Sequence, residues 1–173
     1  QNHKGSNQVI NKNDATGGFY GVIQTIQQLQ AVNNQLDGRY LIGNDIDAQI
    51  TKTWSDIDGD GFKSIGDVDG AFTGVIDGLG HQVSGLYIKR ENSNYVGLIG
   101  YNQGTIKNLG LTHSEITGQN FVGALVGKNE GQISRSYSTG SVTGRKHVGG
   151  LLGSNNQSLN SLYSFANVNG QEQ

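Results

Sequence analysis

The sequence contains no cysteine, no proline and no methionine among its 173 residues. Without cysteine the chain has no disulfides, no thiolate metal ligands and no cysteine nucleophile. That absence fits a secreted bacterial protein as well as a cytosolic one. Because the sequence begins at Gln1 and has no Met, we expect it to be a fragment of a longer polypeptide.

Net charge and long apolar runs are also scarce. Twelve basic and 14 acidic residues give a net charge of −2 and a pI near 6.1. This balance argues against a nucleic-acid or anionic-membrane partner held by bulk charge. No apolar run reaches the roughly 18 residues of a membrane span, and no signal peptide is visible. The sequence therefore predicts no membrane insertion and no nucleic-acid partner.

Glycine, by contrast, is abundant, with 28 residues, and much of it belongs to a repeat. Three copies open with Val96, Val122 and Val148, each followed by glycine, and the spacing between successive copies is the same. Each copy then has a short apolar run closed by glycine. Self-similarity at a fixed period of this size, about 26 residues, indicates stacked structural repeats.

Matched positions continue through each copy. An asparagine, an apolar residue and a closing residue before glycine recur in the triplets Asn102, Asn129, Asn155; Ile106, Ile133, Leu159; and Thr117, Thr143, Asn169. Stacked strands lie about 4.8 Å apart, so matched residues would form files along the stack. The asparagines are then expected to form an amide ladder, and the valines a continuous core.

The residue types favour strands over helices. Helical repeats need apolar residues three and four apart with glycine kept to the ends, whereas these copies hold several glycines and short β-branched runs. We therefore predict an all-β fold: a single-stranded parallel β-helix, or β-solenoid, with about 26 residues per coil. The crossover preference predicts a right-handed coil. A short N-terminal helix is also expected.

The domain organisation is predicted as one β-solenoid over residues 1–173. Its parts are a polar arm or partial coil (1–20), a capping helix and strand (21–49), an acidic insertion (50–70) and stacked repeats (71–170). The helix should run from Ile26 to Asn33 behind a capping box at Thr25 and Gln28, covering the open end of the solenoid.

A weaker copy of the repeat precedes the three clear ones. The segment Phe72–Ile88 resembles a degenerate coil. Its apolar positions are predicted to match those of the next coil, with Val83 on Ile106 and Ile88 on Leu111. The repeat would then reach back before Tyr95, and the acidic insertion would lie outside it.

The acidic insertion carries the one chemical motif. Carboxylates occupy positions 1, 3, 5 and 12 of a twelve-residue loop, with glycine at position 6 and a backbone carbonyl at position 7: Asp56, Asp58, Asp60, Asp67, Gly61 and Phe62. This spacing is typical of a calcium loop, because alternate oxygens wrap around one point. The alternative is a solvated acidic turn, since Asp-Gly pairs are ordinary turn formers.

Other polar residues offer less. No pair of histidines has a metal-ligand spacing and no serine lies in a nucleophile elbow, so surface or turn positions are expected for His3, His81, His113 and His147. Tyr137 and Tyr163 occupy one matched position, which favours stacking over a sugar platform. A flat threonine face would suggest ice binding, but the file of Thr117 and Thr143 is interrupted by Asn169.

The runs Val122–Gly127 and Val148–Gly153, with downstream Asn and Tyr-Ser, resemble the GLUG repeat. Upstream, Tyr40–Ala48 and Phe72–His81 resemble the segment that precedes GLUG repeats in filamentous-haemagglutinin-type adhesins. The resemblance covers about Gln24 to Gly170. It implies a β-helical stalk in a bacterial surface adhesin, exported by two-partner secretion or as an autotransporter. GLUG repeats also accompany immunoglobulin-A-cleaving metalloproteases, whose zinc motif is absent from this sequence.

Two departures from that pattern matter. Gln157 stands where Gly104 and Gly131 occupy the earlier copies, which predicts a fraying last coil. The Asp56–Asp67 loop is more acidic than the resemblance implies, which keeps a calcium site open beside the alternative of a solvated acidic turn.

Three functions remain open. The first is a non-catalytic adhesin module, extracellular at the bacterial cell surface and monomeric as a fragment. Its partners would be a host-cell glycan or protein, or neighbouring adhesin segments. The second is a β-helical polysaccharide-active enzyme, which needs paired carboxylates on one outer face. The third is an ice-binding solenoid.

Overall fold

A computed structural model of the chain describes residues 10–13 and 19–171. Within them the chain forms a β-solenoid of about four stacked turns, spaced about 26 residues apart, with one short helix. The strands are β1 Ile10–Asn13, β2 Phe19–Ile23, β3 Arg39–Ile42, β4 Ile46–Asp47, β5 Ser55–Asp56, β6 Gly59–Gly61, β7 Val75–Asp77, β8 Gln82–Ser84, β9 Tyr87–Lys89, β10 Ile99–Asn102, β11 Thr105–Lys107, β12 Gly110–Thr117, β13 Asn120–Val122, β14 Val126–Asn129, β15 Gln132–Gly144, β16 Lys146–Val148, β17 Leu152–Asn155 and β18 Leu159–Gly170.

Equivalent strands of successive turns pair in parallel, as predicted. The largest sheet runs through β2, β3, β7, β11, β15 and β18 along one side of the solenoid. A second path of that sheet joins β4, β8, β12 and β15. Two smaller sheets, β10-β14-β17 and β13-β16, connect the later turns. Every turn thus bonds its backbone to the turns on either side, which makes the repeats mutually dependent.

The interior files form as the period predicts. Val96 pairs with Val122, and Val122 pairs with Val148. A second file runs through Ile106, Ile133 and Leu159. In the middle turns the residues of these two files are almost completely buried. Leu159, in the last turn described, is 44% exposed. The core is therefore a set of apolar columns that lose their cover at this end.

The predicted asparagine ladder is present and is bonded in two directions. Asn102 Nδ2 donates to Asn129 Oδ1 at 2.8 Å, and Asn129 Nδ2 donates to Asn155 Oδ1 at 2.7 Å. Each asparagine also bonds the backbone two residues on within its own turn, including Asn155, whose Nδ2 donates to the Gln157 carbonyl at 2.6 Å. The last turn thus keeps this corner although Gln157 replaces the glycine.

The helix begins where its cap predicts and is shorter than expected. Helix α1 spans Ile26–Gln30, and a 3₁₀ turn, Ala31–Asn34, follows it. Thr25 Oγ1 accepts a hydrogen bond from the Gln28 amide at 3.1 Å, as an N-cap should. The Gln28 side chain reaches back one residue further than a capping box requires and accepts from the Gln24 amide.

This helical segment covers one sheet edge. The Gln30 side chain donates to the Lys63 carbonyl at 2.7 Å and accepts from the Lys63 amide at 2.8 Å. Asn33 bonds the Ser64 carbonyl and the Gly66 amide in the same way. The side-chain amides thus bond the backbone N–H and C=O groups that a further strand would bond. Left unpaired, these groups could pair with a strand of another chain.

The boundaries of the acidic insertion need correction. Ile65 pairs with Ile99, Phe72 pairs with Asn102, and Phe62 and Ile65 are fully buried. Residues 62–70 therefore belong to a turn of the solenoid, because their apolar side chains fill its interior. The part that lies outside the parallel stacking is confined to about residues 49–61, and Trp54 packs it against the core.

The solenoid also extends further towards the N-terminus than predicted. Strands β2, β3 and β4 pair in parallel with one another or with later strands, so residues 21–49 supply stacked strands as well as the helix. In the predicted arm, β1 pairs antiparallel with β2, and residues 1–9 and 14–18 lie outside the described residues.

The predicted alignment of the weaker coil is wrong. Val83 pairs with Leu111 and not with Ile106, whose partner in that coil is Ile76. Ile88 likewise pairs with Ile116 and not with Leu111. Apolar residues recur every second or third position, so several alignments match side-chain type, and only the backbone pairing selects the true one.

Candidate functional site

The predicted calcium loop forms a hairpin. Strands β5 and β6 pair antiparallel, with Asp56 opposite Gly59 and Ser55 opposite Asp60. The connecting residues Ile57 and Asp58 lie at the tip, where Ile57 is 99% exposed. The Asp56 carboxylate accepts a hydrogen bond from the Asp58 amide at 2.9 Å, which closes the turn. The alternating carboxylates therefore point along a hairpin and do not wrap around one point.

Arg90 occupies the inner side of this hairpin. Its guanidinium makes a bidentate ion pair with Asp56 at 2.8 and 2.9 Å. It also donates to the carbonyls of Gly61 at 3.0 Å and Phe62 at 3.2 Å. The Arg90 side chain is only 6% exposed. Hydrogen bonds from Arg90 lower the pKa of Asp56 to about 2, so the pair stays charged at neutral pH.

The fourth predicted carboxylate is used elsewhere. Asp67 Oδ1 accepts from the amides of Asp69 and Gly70 in a separate turn. Among the residues described, no group of three or more His, Cys, Asp or Glu side chains is placed to hold a metal ion. The residues as arranged do not fit the calcium loop, because Arg90 donates hydrogen bonds to the Asp56 carboxylate and the Phe62 carbonyl, which are two of the predicted ligands. Calcium binding is thus a prediction of the sequence motif alone, and the arrangement of the side chains argues against it.

We expect millimolar calcium to leave the melting temperature unchanged, since the arginine already neutralises the Asp56 end of the loop. Calorimetry and melting curves in about 1 mM calcium and in chelator would measure this. Asp58→Ala is the informative variant, and Asp69→Ala is a control outside the twelve-residue loop. A calcium-dependent rise in melting temperature that is lost in Asp58→Ala alone would show that the loop rearranges around the ion.

A hollow of about 210 Å³ lies beside the hairpin. Its walls include Asp58, Lys63, Asp67, Asn94 and Tyr95. Two carboxylates and one ammonium group on an open surface can bind hydroxyl groups of a saccharide. Paired carboxylates are also what the enzyme alternative requires, so this hollow is where that alternative can be tested.

An aromatic file, which we did not predict, runs along the outside. Tyr95, Phe121 and His147 stack with ring centroids 5.0 and 4.5 Å apart. Tyr101 extends the file beside Tyr95, and Lys128 lies 5.5 Å from the Tyr101 ring centroid. The signal was present in the sequence, because Tyr95, Phe121 and His147 each immediately precede a valine of the repeat. Stacking uses the ring faces and leaves mainly edges exposed to solvent.

The remaining candidates lie where the repeat predicts. Tyr137 stacks on Tyr163 with ring centroids 5.2 Å apart. The threonine file is in register, with Thr117 beside Thr143 and Thr143 beside Asn169. The described histidines lie at the surface or at turns. His113 and His147 are exposed, and partly buried His81 faces Asp45 with 3.2 Å between Nδ1 and Oδ1. His3 lies outside the described residues.

Three consecutive charged residues, Lys89, Arg90 and Glu91, form a cluster in the sequence that the fold separates. Lys89 and Glu91 pair with each other at 3.5 Å on the outside. Arg90 points inward and binds the hairpin, because consecutive residues of a strand face opposite sides. The cluster is thus one surface pair and one buried arginine.

The class that this geometry defines is a parallel β-solenoid of stacked repeats. Among solved structures, that of a candidate immunoglobulin A1 protease from Bacteroides ovatus is similar, with a TM-score of 0.67 over 89% of this chain and 49% of that chain. The two sequences are 21% identical. At that level the likeness establishes the fold alone.

No family model matches the chain. It is 37% identical over 144 residues to Halomucin from Haloquadratum walsbyi, a match that covers 72% of this chain. It is also 37% identical over 117 residues, 65% of this chain, to a candidate Gly-rich membrane protein from Evansella cellulosilytica. The matches cover only 2% and 13% of these relatives. Neither name mentions GLUG repeats or haemagglutinin-type adhesins, so that resemblance stays a prediction.

These findings are compatible with a module of a secreted surface protein. The names of the two relatives suggest a cell-surface or membrane-associated setting. Within residues 10–13 and 19–171, no helix is long and apolar enough to cross a membrane.

Proposed function

We propose that the chain is a non-catalytic module of an exported cell-surface protein, and that it attaches the cell to glycans or proteins of other surfaces. The observation that supports this is the stacking itself. At several outer positions successive turns carry like side chains, such as the rings of Tyr95, Phe121 and His147, so these files become rows of similar groups along the solenoid. Rows of polar and aromatic groups on a stiff scaffold suit repeated weak contacts with an extended partner.

The surface location draws support from the relatives' names and from the resemblance to GLUG-containing adhesins. We place the module outside the cell, on a bacterial surface, with a host-cell glycan or protein, or neighbouring adhesin segments, as partners. The similar solved structure is named for a protease, but a likeness of fold does not carry an activity with it.

Attachment can be tested with the purified chain coated on beads. We expect beads to bind to a panel of cells or immobilised glycans above the level of beads coated with the core variant Val122→Asp. Absence of binding to every cell and glycan tested would contradict the adhesin role.

The enzyme alternative has its own test in the hollow beside the hairpin. Incubating the chain with a panel of polysaccharides should release no reducing or unsaturated sugars. Release that is lost in an Asp58→Asn, Asp67→Asn variant, but kept in Asp69→Asn, would establish a polysaccharide-active enzyme and overturn the proposal. Ice binding, the third alternative, would appear as thermal hysteresis.

A further inference from the structure

One corner of the solenoid is two residues longer than the corner stacked on it. The chain runs from Asp77 to Gln82 on one turn and from Lys107 to Gly110 on the next, although both ends pair in register. The extra residues are accommodated as an overhang in which Leu79 adopts a left-handed conformation, with φ of 52°, and is 53% exposed. An apolar side chain is thereby held out over the neighbouring turn.

A missing side chain deepens the space below this overhang. Gly110 stands in register between Gln82 and Tyr137. The Tyr137 ring leans across it and its hydroxyl donates to Gln82 Oε1 at 3.4 Å. A Cβ at Gly110 would lie 2.3 Å from the Tyr137 ring, so only glycine leaves the ring in this position. The result is a hollow of about 380 Å³ that is bounded by Leu79, Leu109, Tyr137 and Arg135.

The arginine in this hollow is held by a relay of side chains. Arg135 Nε donates to Asn108 Oδ1 at 2.7 Å, and Asn108 Nδ2 donates to Asp77 Oδ1 at 3.0 Å. Asp77 Oδ1 also accepts from the Leu79 amide at 2.9 Å, which ties the relay to the overhang. Within the described residues, the guanidinium makes no other hydrogen bond or ion pair, so its two terminal nitrogens are left for a ligand.

We propose that this hollow binds a hexuronate unit of an acidic polysaccharide, with the sugar carboxylate on the terminal nitrogens of Arg135. A guanidinium with both terminal nitrogens free matches a planar carboxylate, and fixing Nε beforehand reduces the entropy lost on binding. The hollow is of small-ligand size, since such sites span about 300–1,000 Å³. This assignment rests on the proposed non-catalytic binding role and names its ligand class.

The other walls favour a sugar over an acidic peptide. Leu79 offers an apolar surface to the CH groups of a pyranose ring. The Tyr137 hydroxyl and the Gln82 amide, in weak contact at 3.4 Å, can bond ring hydroxyls, which Asp and Glu side chains lack. The negative charge of Asp77 lies beyond Asn108, on the Nε side of Arg135, and repels an anion there. The carboxylate of the sugar is therefore expected on the opposite side, at the terminal nitrogens.

The test uses calorimetry with the full chain and short oligomers of galacturonic or glucuronic acid. We expect binding that weakens about 10- to 100-fold in Arg135→Gln, because a charge-assisted bidentate contact is lost. Arg135→Lys should also weaken binding, because it keeps the charge but loses the planar fork. Arg145→Gln is the matched control. It removes the same charge from an exposed site in a separate groove, and its affinity should stay within about twofold of the parent.

Three further ligands separate the possible outcomes. Carboxyl-reduced oligomers should not bind, and neither sulfated neutral oligomers nor an Asp/Glu-rich peptide should bind as tightly as the uronates. Equal affinity for any of the three, or uronate binding that survives Arg135→Gln, would overturn the assignment. Chain-length analysis of the recovered oligomers reports separately on the proposed function. Intact oligomers agree with a binding module, whereas cleaved oligomers contradict that role whichever residue binds them.

Discussion

Replacing Val122 with Asp should unfold the chain. Val122 is fully buried between Val96 and Val148, and the glycines beside the file leave little spare room. A Cβ on Gly144, for example, would lie 2.8 Å from Val122 Cγ2. A carboxylate at this position would have no partner and no path to water. The expected loss is more than about 4 kcal/mol, which is comparable to the total stability of many domains.

Far-UV circular dichroism and urea denaturation would measure the change. The control is Val68→Asp, the same substitution at a position that is 63% exposed. This control should have the same unfolding midpoint as the parent, within experimental error. If Val122→Asp melts with the parent, the valines do not form the interior file on which the fold depends.

The sequence predicted the parts of the fold that repeat. A constant period brings Val96, Val122 and Val148 into one column whatever the path between them, since each turn copies the last. The asparagine ladder follows from the same period, because an amide can bond its own copy at the strand spacing. Regular register therefore made the core predictable from spacing alone.

Prediction failed where the turns differ in length. The coil before Val96 has a longer corner at Gly78–His81, so its residues pair with partners further along the chain than the period of the later coils would give. Side-chain type alone could not detect this, because apolar residues suited several alignments. The same longer corner forms the hollow at Arg135. Because the sequence pattern did not reveal the corner, it did not reveal the candidate binding site either.

The acidic motif was ambiguous for a different reason. Carboxylates at alternate positions suit a loop around an ion and also suit a hairpin with outward-facing acids. The choice depends on Arg90, which lies 34 residues from Asp56 in the sequence. A contact of that separation leaves no local pattern. The fold, and not the motif, decides which cation faces the carboxylates.

Arg90→Met should cost the chain about 3 kcal/mol or more of unfolding free energy. The substitution keeps most of the apolar length of the side chain but removes four hydrogen bonds. It leaves Asp56 without its cation and the carbonyls of Gly61 and Phe62 without donors. Breaking a buried pair by deleting one partner typically costs about 3–5 kcal/mol, and the 44% exposure of Asp56 places the effect at the lower end.

Two comparisons make this prediction specific. Lys89→Met removes a neighbouring cation that is 50% exposed and that, among the described residues, forms an ion pair only with Glu91, so it should cost less than about 1 kcal/mol. The second comparison is pH. Because Arg90 lowers the pKa of Asp56 from 3.8 to about 2, the stability that the ion pair contributes is fully present above about pH 4 and is lost as the pH falls through about 2. Urea denaturation at pH 7, 4 and 2.5 would measure the difference in unfolding free energy between the parent and Arg90→Met. We expect this difference to narrow only below pH 4. A gap that stays constant down to pH 2.5 would mean that the two carbonyls, and not Asp56, account for the role of Arg90.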